Sequence, residues 1–411
     1  MIIRKKYLLY SLAITSSFIA AAVTALDSII IKSFIPNAWA FSLALFLVGL
    51  VATFILGAIL SIPYRKKSIG SFIDPSFKRL RMITKKELTL HLGAGLMNGM
   101  NTVGYCVLIS LVFDPSVLLS FQQIVILYLL MIESFTEKNI PTLAEVQSSM
   151  IVTFGAILAS ISLQGEINLE SLLIVFLLLN PTWALFSIFQ RKLKTMRLQG
   201  KLNDSINIRF WNVLFSLIFT FLIIFIWDTF NGTNYIIEGI TASVTYFPWI
   251  FLTMSTTFFA YVLFIRSLGL GNASVNNAIR SSTIIFALPF SIILTIMGIF
   301  TFDTDPVMII IKIIGMIMIV LGIISFALTV VKAYIFIILK PGFKRKDVIN
   351  KLWNIPGVSH VSATAGKYDF IVKVSTRTLV KGYERIIRRI DDIEEVESYK
   401  WNSVLKDWEN I

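Results

Sequence analysis

The chain is a succession of long apolar stretches separated by short polar breaks. Apolar runs cover about 7–31, 39–62, 89–112, 116–134, 146–163, 171–189, 210–227, 246–265, 273–298 and 307–330. With a rise of about 1.5 Å per helical residue and a hydrocarbon core about 30 Å thick, such runs are membrane-spanning in length. The pattern predicts ten transmembrane helices, an all-α polytopic membrane region. The basic Arg4-Lys5-Lys6 leader and the stretch behind it are read as the first of these and not as a signal peptide, because the apolar run from Tyr7 to Ile31 exceeds a signal core.

After the last run the period changes. As one helix, the apolar sequence from Val307 to Leu339 would extend roughly 50 Å, far more than a bilayer core needs. The expected solution is a helix that stops near Val331, followed by a strand, Ala333 to Leu339, closed by the turn signal Lys340-Pro341-Gly342. KRKDVINKLWNI then reads as an amphipathic helix. VSHVSATA and DFIVKVST read as alternating strands joined through Gly366-Lys367-Tyr368-Asp369, followed by a helix through Tyr383 and Ile390 and a last strand near Val396 to Val404. The order βαββαβ predicts an α+β ferredoxin-like domain.

Polar residues inside the apolar runs are the candidate chemistry. In the ninth, Asn272, Asn276, Arg280 and Thr283 recur at helical spacing, with Asn277 and Ser281 on the adjoining stripe. Counting from Asn272, Arg280 lies roughly 12 Å deep, near mid-membrane. A charge there is costly and points to a bundle interior or a wet cavity, so this face is expected to line a substrate pathway. Snorkelling to the headgroups, or neutralising a buried carboxylate, are the alternatives. In the third run Asn98, Asn101 and Tyr105 share a face, and Gly95 and Gly99 form a small-xxx-small pair that permits close helix approach. Gln122 and Gln123 lie in the fourth run. Asp27, toward the far end of the first, is a candidate ion or proton site or an interfacial carboxylate. Trp183 and Tyr261 read as packing or belt aromatics, and Lys312 as a snorkelling lysine.

Composition agrees with the pattern. Hydrophobic residues make up 56% of the 411, charged ones only 15%, and mean hydropathy is +0.79, outside the range of soluble domains. The net charge of +13 is a matter of topology, because Lys and Arg gather in alternate loops. Arg65 to Lys86, Arg191 to Lys201 and Lys332 to Lys346 are basic, whereas the other loops hold Asp114, Glu166, Glu170, Asp228, Glu238, Asp303 and Asp305. The basic side, with both termini, is expected to be cytoplasmic. One cysteine, Cys106, excludes an intrachain disulfide; two histidines, His91 and His360, make no metal motif; and no nucleophile motif or phosphate loop is present. Neither enzyme activity nor a cofactor is expected. Lys381, Arg385, Arg388 and Arg389 form a basic face, but the acidic Asp391 to Glu395 follow closely, so a solvated face and no nucleic acid are expected.

The membrane region repeats itself. YCVLISLVFDPSVLLSFQQIVILYLLMIE from Tyr105 can be laid over YVLFIRSLGLGNASVNNAIRSSTIIFALPFS from Tyr261, and Gln122 and Gln123 then fall on Arg280 and Ser281. A five-helix unit used twice gives inverted halves, here 1–163 and 164–331, with a site near the midplane. This array resembles the EamA-like branch of the drug/metabolite transporter superfamily over roughly Ile2 to Val331, through helix count, basic loops and the segments around Glu133 and Gly155. The proline that family often carries in its ninth helix fits Pro289, while the fourth has none. The resemblance implies a pathway between the halves, alternating access and a homodimer contact through the fifth and tenth helices. IPGVSHVSATAGKYDFIVKV is the most specific part of a second resemblance, over 332–411, to the effector-binding RAM domain of Lrp/AsnC-type regulators. It implies binding of an amino-acid-like effector between paired domains, with Gly366, Tyr368 and Asp369 at the turn between the central strands. No helix-turn-helix precedes it.

These readings lead to a multi-pass cell-membrane permease for small polar metabolites, amino acids or related anions. Arg280, Asn276, Asn277, Gln122, Gln123, Asn98, Asn101 and Tyr105 are the expected substrate residues. The alternative is a membrane-anchored receptor whose main activity is effector binding by the tail.

Overall fold

The structure, a computed structural model, describes residues 5–65, 67–111, 118–119, 122–136, 143–160, 173–198, 200–298, 306–328, 331–343, 345–376 and 386–403. The acidic loop positions Asp114, Glu166, Glu170, Asp303 and Asp305, the side chain of Lys312, and the basic positions Lys381 and Arg385 lie outside that description. The chain forms two compact units: Lys5–Leu129 with Ile151–Leu321, and a second that includes Leu130–Met150 and Gly322–Ile411.

Helices dominate. They are α1 Lys5–Ser33, α2 Ala38–Leu60, α3 Lys85–Leu111, α4 Val125–Thr136, α5 Leu143–Ser160, α6 Asn180–Thr195, α7 Ser205–Asn231, α8 Tyr235–Thr245, α9 Phe247–Leu268, α10 Ala273–Arg280, α11 Thr283–Ile296 and α12 Pro306–Leu328. Among the described residues seven helical spans are long and apolar enough to cross a membrane, counting α10 with α11 and adding the π turn Ile174–Leu179 to α6.

Local chemistry sets the boundaries. The Asn37 side chain accepts from the Trp39 and Ala40 amides and starts α2, and the Asp204 carboxylate accepts from the Asn207 amide at 2.8 Å and starts α7. Gly232, at φ +65°, ends α7 in the left-handed region. Asp228 then takes the Tyr235 and Ile236 amides (3.1 and 3.0 Å), which opens α8, a short helix that the apolar pattern did not anticipate. It packs on α2 through Gly239, where a side-chain carbon would stand 3.0 Å from the Ala40 carbonyl.

The ninth apolar run, expected as one helix over 273–298, is broken between α10 and α11. Ser282 and Ile284 donate to the carbonyls three residues back, so the Arg280 carbonyl leaves the helical ladder and accepts instead from Ser17 on α1 (3.2 Å) and from Thr283 (2.5 Å). Within this unit α1 packs against α9, α10 and α11, α3 against α6 and α7, and α2 against α7 and α9. Gly95 and Gly99 serve the close approach read from their spacing: a carbon on Gly95 would meet Phe215 Cβ at 2.4 Å, and one on Gly99 would meet Thr220 at 3.1 Å.

Two small hairpins, β1 Pro63–Tyr64 with β2 Lys67–Ser68 and β3 Arg197–Leu198 with β4 Lys201–Leu202, follow α2 and α6. In the second unit, Ser148 on α5 donates to Ser325 on α12 (2.7 Å). The tail folds as β5 Val331–Leu339, α13 Arg345–Trp353, β6 Val358–Ala363 and β7 Phe370–Thr376, then a helical turn at 386–391 and β8 Val396–Ser403. The sheet is antiparallel in the order β6-β7-β5-β8, with Ile335 opposite both Val372 and Trp401. This is the strand order of a ferredoxin-like sandwich, and its core is Ile335, Ile337, Val348, Leu352, Phe370, Val372, Ile386 and Ile390.

Candidate functional site

The helices of the first unit line a cavity of about 100 Å³. Asp27 reaches it from α1, Asn98, Asn101 and Tyr105 from α3, and Gln122 from the turn before α4. Asn180 and Trp183 reach it from α6, Arg209 from α7, Thr257 and Tyr261 from α9, and Arg280 from α10.

The polar groups are held in position by named bonds. Asp27, buried at 3% exposure, accepts from Thr253 Oγ1 on α9 (2.7 Å) and from the Tyr105 hydroxyl (2.9 Å). Asn98 Nδ2 donates to Ser216 Oγ on α7 (2.8 Å). Asn101 Nδ2 donates to the Leu179 carbonyl (2.7 Å) at the end of the π turn, where Thr182 Oγ1 also reaches it (3.1 Å); such turns recur at functional sites.

The two arginines rest on aromatic faces. The Arg209 guanidinium carbon lies 4.0 Å from the Tyr261 ring centre, and that of Arg280 lies 4.5 Å from Phe264 and 5.0 Å from Trp183. Among the described residues neither has a carboxylate partner, and both Nε atoms are buried without a hydrogen-bond acceptor. Trp183 and Tyr261, read from the sequence as packing aromatics, therefore also form walls of the cavity.

Three expected substrate residues stand outside the lining. Asn276 Oδ1 is taken by Ser267 (2.9 Å), Asn277 Oδ1 accepts from Trp183 Nε1 (3.1 Å), and Gln123 Nε2 donates to the Leu119 carbonyl (2.8 Å). The physical reason is angular. A step of about 120° along the 3₁₀ turn Gln122–Ile124 turns Gln123 away from Gln122, and the asparagine stripe of α10 faces its neighbours before it reaches the cavity at Arg280. Arg209 was missed because α7 was expected to start at 210; Asp204, with helix-compatible residues behind it, is the cap signal that marks the earlier start.

A second polar cluster closes the loop end of the same unit. Lys194 Nζ meets Asp74 Oδ2 at 2.6 Å, and the Ser205 amide and hydroxyl reach the same oxygen at 2.7 Å. Burial alone would raise the Asp74 carboxyl, but the Lys194 ammonium and the Ser205 bonds hold it below the ordinary carboxylate range. Nearby, Arg81 grips Glu87 through both terminal guanidinium nitrogens (2.7 and 2.8 Å), and Asn203 bonds to both partners.

In the tail, the turn expected to meet an effector is built by Asp369. Its Oδ2 accepts from the Leu339 amide (2.9 Å), its Oδ1 from Arg345 (3.0 Å), and its own amide donates to Ile337. The Leu339 amide bond first, then Arg345, lowers the Asp369 carboxyl below its usual range. Tyr368 packs on Phe336 with ring centres 5.1 Å apart, and the space around Gly366 is open for 4 Å.

Residues 332–409 match the family described as the Lrp/AsnC ligand binding domain. The tail carries that domain. Among solved structures, the chain is similar to E. coli AsnC, at 22% identity over 31% of this chain and 73% of that one, with a TM-score of 0.19. It is also similar to a chain titled only as the crystal structure of a protein, at 11% identity over 77% of this chain and 96% of that one, with a TM-score of 0.47. No curated protein matches the chain significantly.

Proposed function

We propose that the protein is a permease for small polar metabolites, amino acids or related anions, working by alternating access and tuned by its effector-binding tail. The observation that carries this reading is the cavity itself. Asp27, Arg209 and Arg280, with the Asn98, Asn101 and Gln122 amides, converge on one cavity among membrane-length helices. Buried ionisable residues at membrane depth are by default pathway residues.

The inverted-repeat reading, 1–163 against 164–331, is supported by an exchange of partners. When the two halves are swapped, the packing of α1 on α9 becomes that of α6 on α3, and α3 on α7 becomes α9 on α2. Tyr105 and Tyr261, and Gln122 and Arg280, which the sequence overlay pairs, line the same cavity. In this reading the protein is a multi-pass cell-membrane homodimer, its basic loops and both termini cytoplasmic, with 332–411 as the sensing domain. Asp27 is the ion or proton coupling site, and no catalytic step, cofactor or nucleic acid takes part.

Counterflow of labelled metabolites in proteoliposomes tests it: exchange is expected for wild type and loss of exchange for Arg280→Ala. A second reading, a membrane-anchored receptor, is favoured by the family match falling on the tail. Effector binding without counterflow of any compound would support it over the permease.

A further inference from the structure

The cavity's charges do not balance. Among the described residues its lining holds two guanidiniums, Arg209 and Arg280, and one carboxylate, Asp27. That carboxylate is engaged by hydroxyls of Thr253 and Tyr105 and by neither arginine. A guanidinium stays charged at any accessible pH, so these cations cannot escape burial by losing a proton. Aromatic faces offset part of the cost, as Tyr261 does for Arg209 and Phe264 and Trp183 do for Arg280. Yet each Nε–H remains buried without an acceptor, and the bond that Arg209 Nη1 donates to Asn212 Oδ1 is long, at 3.4 Å. Buried donors and charges in this condition call for an acceptor, and the planar fork of a guanidinium matches a carboxylate best.

We infer that the cavity takes a small molecule with two carboxylates, one for each guanidinium. This deepens the permease reading and rests on the cavity being the substrate site. Asp27 on α1 then faces a cation, which is either an amine on a dicarboxylic amino acid or a separate proton or ion accompanying a plain diacid.

Equilibrium binding to the full chain in nanodiscs, with L-glutamate, succinate, L-glutamine and butyrate as probes, tests the inference. Glutamate or succinate should bind at least ten-fold more tightly than its counterpart with one carboxylate, glutamine or butyrate. Arg209→Gln should abolish the preference while leaving the weaker binding of single carboxylates, and Arg209→Lys should restore part of it, with monodisperse elution reporting folding. Equal binding of diacid and monoacid, a preference that survives Arg209→Gln, or no binding of any probe would each overturn the inference. A glutamate advantage over succinate that vanishes in Asp27→Asn supports the dicarboxylic amino acid; equal binding of the two supports the plain diacid. Counterflow measured alongside separates the two levels of argument. Diacid binding without exchange removes the permease and leaves the site, whereas exchange of neutral compounds alone removes the diacid and leaves the permease.

Discussion

The cavity and the loop-end cluster use the same residue types in opposite ways. Around Asp74, Lys194, Arg81 and Glu87 every charge has its counter-charge within 2.8 Å, and neighbouring Asn203 and Ser205 fill further positions. In the cavity, Arg209 and Arg280 lean on aromatic rings and leave donors unmet. Saturated charges fix a structure; unsaturated ones wait for something to bind.

The sharpest way to break this comparison is to remove one partner of the saturated pair. Asp74→Asn should cost about 3–5 kcal/mol of stability, because it strands the buried Lys194 ammonium. Denaturation of the purified protein in detergent would measure this, and the double variant with Lys194→Met should recover most of the loss. Arg280→Ala should behave the other way. Substrate binding should weaken by roughly 2–5 kcal/mol, the range seen when a buried charge contact is truncated, with no comparable loss of stability. A loss of stability as large as that of Asp74→Asn would place Arg280 with the structural charges. Gly95→Ala tests the α3–α7 seam: a methyl 2.4 Å from Phe215 Cβ forces a shift that should destabilise by about 1–3 kcal/mol without changing substrate preference.

The smallest effect concerns the tail. The Asp369 carboxyl is held below its ordinary value, so its stabilising contribution is complete above the unfolded carboxylate range near about 4 and is lost as pH falls through the lower folded value. Hydrogen exchange of the full chain should show the Leu339 amide opening first on acidification. Asp369→Asn should flatten that dependence. Unchanged protection at Leu339 across the acid limb would mean that the turn is held by other contacts.

How much of this was legible in the sequence depends on what each signal measures. Period finds elements, so seven of the ten expected spans, among the described residues, and the sheet of the tail were readable, including the strand hidden in the overlong run that ends at Leu339. Period does not find hydrogen bonds. The break after Arg280 depends on Ser17, 263 positions away, and the π turn before Asn180 is stabilised by Asn101 across a helix contact. The polar face of α10 was visible, but the pattern did not say that Asn276 and Asn277 serve Ser267 and Trp183 while only Arg280 enters the cavity. Arg209 fell just outside a predicted helix because apolar windows discount the capped first turn, where Asp204, Asn207 and Arg209 cluster.

The two glycines of α3 carry one more implication. Where one helix backbone lies this close to the next there is little room to slide, as at Gly95 against Phe215 and Gly99 against Ser216 and Thr220. The pair α3 and α7 must therefore travel as one plank. Asn98 and Arg209, fastened to its two edges, should keep a constant spacing if the protein cycles as proposed, and spin labels along this seam should report one distance with and without ligand.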